Sequence, residues 1–358
     1  MIKYLGSKRL LLSPIVAAVT GFGGVRTALD LFSGTARVGR ALKRAGLRVT
    51  ANDHLRFAAT LARCYVAADG ARWREPARAL LAELTRLAPS EGYFTRTFCR
   101  EARYFQPHNG ARVDAIRAAL AARELPPALE AIALTSLMEA ADRVDSTTGV
   151  QMAYLKRWAK RSFNDLELRL PELVDGPGEA LELEAEEAAE AEVDVAYLDP
   201  PYNQHSYLGN YHVWETLARW DAPASYGVAN KRIDCRHYKN PFNSRRRIAD
   251  AFERVVARLR ARHVVVSFSD EGFLARDELE AILAERGHVR VVGTTFKRYV
   301  GAQIGIHDPR GRKVGAVSHL NNREMLFLAS PDRQAVERAA AAAAEALAPA
   351  PRVLDLGG

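Results

Sequence analysis

The chain has 358 residues, 48% of them hydrophobic and 26% charged, which allows one large domain or two ordinary ones. Its 24 glycines and 16 prolines are too few for a collagen-like or linker-dominated chain. It has no apolar run of the roughly 18 residues that a membrane helix needs, and its start lacks the apolar core of a signal peptide. The 3 cysteines lie far apart, which argues against a disulfide framework or a metal site and favours a reducing cytoplasm.

The formal net charge of +8 suits a polyanionic partner such as a nucleic acid. However, arginine greatly outnumbers lysine among the basic residues, and a GC-rich genome produces the same bias. The position of the charges along the chain is therefore more informative than their sum.

The first elements alternate between strand and helix. A strand at 25–32 and a helix at 36–45 are followed by a strand at 47–51 and a helix at 55–67. Gly46 is a typical end signal for the first of these helices. This alternation is typical of a parallel α/β sheet.

The next part of the chain is predicted to be helical, with helices at 75–87, 111–123 and 127–143 and an aromatic-rich loop at 92–98. Residues 178–194 then carry eight acidic side chains and no basic one. Such a charge run predicts a solvated helix or a disordered linker.

Strand and helix patterns return after this segment. Strands are predicted at 193–198, 263–268, 289–296 and 324–328, and helices at 210–220, 244–261 and 274–286. The alanine-rich stretch 331–347 predicts a surface helix, and 349–358 a loose tail. The α/β pattern is thus divided by an inserted helical segment.

The loop after the first strand, Asp30 to Ala36, is a candidate ligand loop, because ligands of open α/β sheets bind at the carboxyl ends of strands. Gly34 lets the backbone approach a ligand, and Ala36 can begin the following helix. Asp53 ends the next strand, where a carboxylate can accept hydrogen bonds from a ribose diol. The absence of a GxGxxG motif and of a Walker lysine disfavours a dinucleotide or a nucleoside triphosphate.

A second loop follows the predicted strand 193–198 and reads Asp199-Pro200-Pro201-Tyr202. Two prolines in succession fix the backbone and remove two N–H donors. The result is a rigid shelf that offers carbonyl oxygens, one carboxylate and one aromatic ring.

Three blocks together resemble the D12-class N6-adenine-specific DNA methyltransferases of the alpha type. They are the segment from Lys3 to Lys8, the loop from Asp30 to Gly39, and the tetrapeptide DPPY at 199–202. The resemblance implies a Rossmann-like, S-adenosylmethionine-dependent α/β fold with a mainly helical inserted target-recognition domain. The departures from the family pattern are Tyr4 for tryptophan and Ser7 and Ala36 for glycines.

The resemblance also implies roles for individual residues. The catalytic motif is Asp199, Pro200, Pro201 and Tyr202. Asp199 and the Pro200 carbonyl would hold the target amino group, and Tyr202 would stack on the flipped base. The residues expected along S-adenosylmethionine are Tyr4, Lys8, Asp30, Phe32, Gly34, Asp53 and Asp199.

These residue types suit the chemistry. The exocyclic amine of adenine is a poor nucleophile because its lone pair is delocalised into the ring. Accepting its hydrogen bonds draws the nitrogen toward tetrahedral geometry, so orientation and electrostatics do most of the work and no covalent enzyme intermediate is needed. A base in a duplex must first leave the stack, and an aromatic ring can receive it.

Two basic segments are candidate DNA contacts. The first interleaves cations and aromatic rings over 156–163, and the second holds seven basic residues over 226–247. From them we select Lys156, Arg157, Lys160, Arg161, Lys231, Arg232 and Arg236; the alternative is an exposed arginine-rich face. Asn203, His205, Tyr207 and Asn210 are as compatible with local turn bonds as with a pocket, and His212 and Trp214 are expected in the core.

The sequence thus predicts a site-specific adenine methyltransferase acting on duplex DNA. Its catalytic domain comprises 1–69 and 190–330, and its helical tail 331–358. The target-recognition insert is 70–189, and its helices, its aromatic loop at 92–98 and the cluster at 156–163 suit the reading of a DNA groove.

Such enzymes commonly serve restriction–modification or DNA marking, so a cognate restriction endonuclease is a candidate partner. No metal and no membrane association are expected. The alternatives are an RNA methyltransferase, a non-catalytic DNA-binding protein on this scaffold, and an N4-cytosine enzyme, which usually has Ser in place of Asp199.

Overall fold

A seven-stranded sheet forms the centre of the molecule in the computed structural model, which describes residues 1–6, 8–297 and 321–347. The order of the strands across the sheet is β3-β2-β1-β4-β7-β9-β8, and β5 and β6 form a separate hairpin. In chain order the strands are β1 Thr27–Asp30, β2 Arg48–Asn52, β3 Gly178–Leu181, β4 Val193–Leu198, β5 Ser225–Tyr226, β6 Lys231–Arg232, β7 Ala261–Ser269, β8 His288–Lys297 and β9 Asn321–Ser330.

The sheet is mostly parallel. Strands β1, β2, β3, β4 and β7 pair in parallel, and β9 runs antiparallel to both of its neighbours, β7 and β8. The last four residues of β4 are all buried, as expected for a strand covered on both faces. The chain leaves β1 toward β2 on one side and later returns to β4 on the other, so the sheet has its switch point between β1 and β4.

Helices cover both faces of the sheet. They are α1 Leu12–Gly21, α2 Arg37–Arg44, α3 Arg56–Ala62, α4 Gly70–Thr85, α5 Tyr93–Thr95, α6 Pro107–Ala121, α7 Pro127–Arg143, α8 Ala185–Ala188, α9 Tyr207–Asn210, α10 His212–Arg219, α11 Ile248–Arg258, α12 Arg276–Ala284 and α13 Arg333–Leu347. Wider π turns cover Arg63–Ala67 and Arg96–Glu101, and 3₁₀ turns cover Lys8–Leu10, Lys160–Phe163, Ile233–Arg236 and Pro241–Asn243. None of the described helices has the length and apolar character needed to cross a membrane.

The expected α/β class is confirmed, and the helical segment is built into the same core as the sheet. Leu84, Phe98 and Leu137 of that segment lie in one buried cluster with Val49 of β2. The expected aromatic loop at 92–98 is instead helical from Tyr93 onward, and its Phe94 and Phe98 side chains are buried, at most 1% exposed. These two rings belong to the core, so the prediction that this segment reads a DNA groove was wrong for Phe94 and Phe98.

The acidic segment 178–194 differs from its prediction, because its first part is an edge strand of the sheet. Strand β3 pairs in parallel with β2, with Ala51 opposite Ala180. The Asn52 side chain fixes the chain that follows, donating to the Leu183 carbonyl at 3.1 Å and accepting from the Leu183 N–H at 3.0 Å. An edge strand needs only one strand partner, so its acids can face solvent without preventing pairing.

Helix α13 is the expected surface helix, and one of its faces is packed against the core. Ala335, Val336, Ala339 and Ala343 are buried, and Gly21 of α1 lies close to Ala339. Small residues at helical spacing let the two helices approach closely, so this face of α13 is part of the core. The predicted tail at 349–358 lies outside the described residues, and the division into four domains stays a prediction.

Candidate active site

The two predicted loops meet at the switch point of the sheet. One follows β1 and the other follows β4, and together with the N-terminal segment they enclose a cavity. Its lining includes Tyr4, Gly6, Lys8, Asp30, Phe32, Ser33, Gly34, Thr35, Arg37, Asp53, His54, Tyr197, Asp199, Pro201 and Tyr207. The cavity therefore contains every residue that we predicted for cofactor binding.

The loop after β1 is held in an unusual backbone conformation. Gly34 has φ +51°, and a side chain there would meet the Tyr4 ring at 3.1 Å. Ala36 has φ +57° and ψ +24°, which is left-handed, so it precedes α2 and does not begin it as expected. Asp30 fixes the far end of the loop, because its Oδ2 accepts a 2.7 Å hydrogen bond from the Gly39 N–H.

Asp53 bonds to the protein through both carboxylate oxygens. Oδ2 accepts from the Gly34 N–H and Oδ1 from the Leu55 N–H, each at 3.0 Å. Burial raises its pKa, while His54 and these two N–H groups oppose the rise. A carboxylate offers about four lone-pair sites, so Asp53 retains acceptor capacity for a ligand diol.

A second cavity adjoins the first and shares Phe32, Asp53 and His54 with it. The Phe32 ring packs edge-on against Phe242, with ring centres 5.2 Å apart. Asp53 thus stands between a slot with two aromatic rings and the cavity that contains Asp199. An aromatic slot beside a carboxylate acceptor fits S-adenosylmethionine, because its adenine ring can pack in the slot and its ribose hydroxyls can donate to the carboxylate.

Asp199 is placed beside a buried cation. Lys8 Nζ lies 3.1 Å from Asp199 Oδ1 and 3.3 Å from Glu324 Oε2, and the Lys8 side chain is 6% exposed. Burial raises the pKa of Asp199 to about 6, and Lys8 opposes that rise. Burial disfavours the charge on Lys8, but Asp199, Tyr202 and Glu324 outweigh it and raise its pKa.

Tyr202 presents its ring toward the same ammonium group. Lys8 Nζ lies 5.6 Å from the centre of the ring, and Phe268 packs against it at 5.2 Å. The Tyr202 carbonyl accepts from the Phe273 N–H at 2.8 Å, which ties the loop at 199–202 to the chain after β7. Burial raises the pKa of Tyr202 to about 12, so the phenol is neutral at physiological pH.

A stack of three tyrosines stands beside the cavity. The Tyr4 ring contacts both Tyr207 and Tyr211, with ring centres 5.1 and 4.7 Å away, and the rings of Tyr207 and Tyr211 lie 6.3 Å from each other. The Tyr211 hydroxyl oxygen also accepts a 2.6 Å hydrogen bond from the Leu5 N–H. The stack explains how the ring at position 4 is held over the loop at Gly34.

The basic cluster at 156–163 is only partly available to a ligand. Lys156, Arg157 and Lys160 are exposed, whereas Arg161 bonds to Asp145 Oδ1 at 2.6 Å. Asp145 also pairs with Lys3, beside Tyr4. The cluster is therefore attached to the N-terminal segment that lines the cavity.

The basic segment 226–247 requires one correction. Arg232 is 2% exposed and forms ion pairs with Asp221 at 2.7 Å and Asp234 at 3.0 Å. A buried guanidinium bound by two carboxylates is structural, so the prediction that Arg232 contacts phosphate was wrong. Arg236 is exposed and stacks on Tyr226 at 4.1 Å, and Lys231 is half-buried.

The remaining neighbours of the catalytic loop divide between core, turn and cavity. His212 and Trp214 are in the core, as predicted. Asn203 accepts from the His205 N–H, which is a local turn bond, and Tyr207 lines the cavity. Among the described residues, no group of three His, Cys, Asp or Glu could hold a metal ion.

Sequence reasoning missed Glu324, Tyr211 and Arg37. Glu324 lies over 300 positions from Lys8 in the chain, and no local pattern could join two such distant residues. For Tyr211 the signal was present, because it is four residues after Tyr207 and shares a helical face with it.

A mostly parallel sheet with ligand loops after β1, β2 and β4 is consistent with the class of α/β methyltransferases. A family model, D12 class N6 adenine-specific DNA methyltransferase, matches residues 4–280. The chain belongs to this family, which confirms the resemblance seen in its motifs.

Several curated relatives are similar to the chain. Modification methylase StsI of Streptococcus sanguinis is 30% identical over 328 residues, which cover 84% of this chain and 49% of the relative. Type II methyltransferase M.FokI of Planomicrobium okeanokoites is 30% identical over 324 residues, 83% of this chain and 49% of its own. Type II methyltransferase M.NlaIII of Neisseria lactamica is 27% identical over 311 residues, 83% of this chain and 92% of its own. The chain thus spans about half the length of the first two.

Proposed function

We propose that the protein transfers a methyl group from S-adenosylmethionine to the N6 amine of an adenine in duplex DNA. The observation that carries this proposal is the cavity at the switch point, which joins Asp53 and Phe32 to Asp199. Tyr202 stands beside it, across Lys8 from Asp199. Membership of the family and the names of the relatives support the same reaction.

The cofactor would lie along the loop after β1. Asp53 would accept the ribose hydroxyls and Phe32 would line the nucleoside slot, while Gly34, which has no side chain, lets the Tyr4 ring pack against the loop. When bound, S-adenosylmethionine supplies an electrophilic methyl group on a positively charged sulfur. The cavity lining contains three carboxyl groups, Asp30, Asp53 and Asp199, against the two cations Lys8 and Arg37, and this excess of one carboxyl group favours a cationic ligand.

The amine would be held at the start of the catalytic loop. Lys8 bonds to Asp199, and no other donor of the described residues does so, which leaves lone pairs for an incoming N–H. The Pro200 carbonyl is the second proposed acceptor. Two acceptors on one amino group orient its lone pair and stabilise the charge that the nitrogen gains.

The base would leave the duplex to reach this cavity. Tyr202 is half-buried, and an aromatic ring at the mouth of such a site can stack on an extruded base. We assign contacts with the phosphates to Lys231 and Arg236, two cations of the segment 226–247 that are not buried in ion pairs, and contacts with base edges to the exposed Lys156, Arg157 and Lys160.

The decisive experiment is methyl transfer from radiolabelled S-adenosylmethionine to duplex DNA, to single-stranded DNA and to RNA. We expect labelled N6-methyladenine in duplex DNA, and modification-sensitive sequencing of DNA from an expressing cell would give the site. Label only in RNA would favour the RNA methyltransferase, and label in cytosine the N4-cytosine enzyme. DNA binding without label would favour a non-catalytic protein.

Asp199→Ala is the matching variant. It removes the acceptor of the amine but none of the cations proposed to contact phosphate, so methyl transfer should fall by at least about a hundredfold while DNA binding stays within about threefold. A variant that methylates at a near-normal rate would contradict the role of Asp199.

The restriction–modification role is a proposal of the same kind. The relatives are named modification methylases and type II methyltransferases. A cognate endonuclease would be sought as a nuclease whose cleavage of DNA is blocked by prior treatment with this protein.

A further inference from the structure

Lys8 is shared between two carboxylates that come from distant parts of the chain. Its Nζ lies 3.1 Å from Asp199 and 3.3 Å from Glu324, and the two carboxylate side chains are 19% and 18% exposed. Such a poorly solvated ammonium group would pair fully with Asp199 if that were its only partner. Because Glu324 also contacts Lys8, the attraction of the ammonium group is divided between two carboxylates.

The sheet places Glu324 at this point. Strand β9 runs antiparallel to β7, with Glu324 opposite Ser269, the last residue of β7. Glu324 therefore lies at the edge of the sheet formed by the carboxyl ends of the parallel strands, where the ligand loops begin, although it belongs to a late strand of the fold. It contacts Lys8, which in turn contacts Asp199.

We propose that Glu324 is a positioning residue for methyl transfer: it holds Lys8 in place and weakens the ion pair between Lys8 and Asp199. This inference rests on the proposed function. With all three groups ionised, the cluster has one net negative charge, which makes Asp199 a stronger acceptor for the amine. The same charge stabilises the positive nitrogen that forms as the amine bonds to carbon.

The two carboxylates also affect proton binding. Glu324 raises the pKa of Asp199 by like-charge repulsion, in addition to the larger effect of burial. Removing the charge at position 324 should therefore leave Asp199 ionised to lower pH, but as a weaker acceptor. A merely structural role would lower the folded fraction without moving the pH profile.

The test is Glu324→Gln, with kcat measured from pH 5 to 9 and the affinity for S-adenosylmethionine measured by calorimetry. We expect kcat to fall about tenfold and the acid limb of the plot of kcat against pH to shift to lower pH by about half a unit to one unit. The cofactor Kd should stay within about twofold of the wild-type value. Glu337→Gln is the matched control, because it removes a carboxylate that pairs with Arg290 away from the cavity. It should leave kcat and the limb unchanged.

An unchanged kcat and acid limb in folded Glu324→Gln would overturn the inference, as would an effect confined to cofactor affinity. If Glu324→Gln fails to fold, Glu324→Asp becomes the test, because it withdraws the carboxylate by one methylene. It should change kcat and the limb in the same directions by less, and wild-type values for both would overturn the inference. A wild type that transfers no methyl group to adenine would instead refute the proposed function.

Discussion

Ala36 is the residue with the clearest local strain in the candidate site. It is fully buried and left-handed, at a position where the family pattern has glycine. A left-handed conformation costs a residue with a Cβ roughly 1–2 kcal/mol, and glycine avoids that cost but loses more entropy on folding. The loop therefore keeps the shape that a glycine would give it, at some expense in stability.

We expect Ala36→Gly to leave the free energy of unfolding within about 0.5 kcal/mol of the wild type, because the relief of strain offsets both the added entropy and the loss of one buried methyl group. Urea unfolding gives the measurement. Ala41→Gly, in the interior of α2, is the control and should lower the free energy of unfolding by about 1 kcal/mol. Equal decreases in the two variants would show that position 36 is not strained.

Asp30 also lowers the stability of the folded protein, by an amount that depends on pH. Burial raises its pKa to about 7, although the Gly39 N–H stabilises the ionised form. Because the folded-state pKa lies above the unfolded one, folding is disfavoured progressively as pH rises from the unfolded-state pKa near 4 to the folded-state value. The decrease in stability is complete above the folded-state pKa.

Asp30→Asn should therefore be more stable than the wild type at pH 8, and the difference should vanish below about pH 4. One pKa unit corresponds to about 1.4 kcal/mol, so the gain at pH 8 is at most about 4 kcal/mol. Chemical unfolding at both pH values measures it. Asp332→Asn is the control of opposite sign, because N–H groups of α13 lower the pKa of Asp332. A gain at pH 4 as large as at pH 8 would contradict this account of Asp30.

At the scale of elements, the sequence correctly predicted the helices, strands and motifs that depend on residues close together in the chain. Helix α7 and strand β4 begin and end where their patterns predicted, at 127–143 and 193–198. The motifs after β1 and β4 were recognisable because a short peptide holds their chemistry. Their meeting in one cavity followed from the rule for carboxyl ends of parallel strands.

The elements that were misread depend on distant partners. Strand β3 consists of acidic and small residues and one leucine, and it is a strand because β2 lies beside it. Arg232 resembled its exposed neighbours in the sequence, but Asp221 and Asp234 pair with it in the interior. Charge counted along a segment does not distinguish a cation that is free to bind phosphate from one that already has partners.

At the scale of the whole molecule, the two basic segments have different attachments. The segment 226–247, which includes the second strand of the β5–β6 hairpin, is anchored beside the catalytic loop, since Asn243 Nδ2 donates to the Asn203 carbonyl at 2.7 Å. The cluster at 156–163 joins the helical segment through Arg161 and Asp145. Phosphate contacts position a protein, whereas contacts with base edges select the sequence.

We therefore expect a division of labour between the segments. Replacing Lys231 and Arg236 by glutamine should weaken binding to all duplexes alike and flatten the plot of log affinity against log salt by up to about 0.9 for each phosphate that is no longer neutralised. Replacing Lys156, Arg157 and Lys160 should instead change the preference among sequences, by about 1–3 kcal/mol for each base edge that is no longer read.

Salt titrations on cognate and random duplexes measure both effects. Arg232→Gln controls for disruption of the hairpin, because it should lower stability by breaking a buried ion pair. If the Lys231 and Arg236 variant binds more weakly only to the cognate duplex, the segment 226–247 selects sequence and the proposed division is reversed.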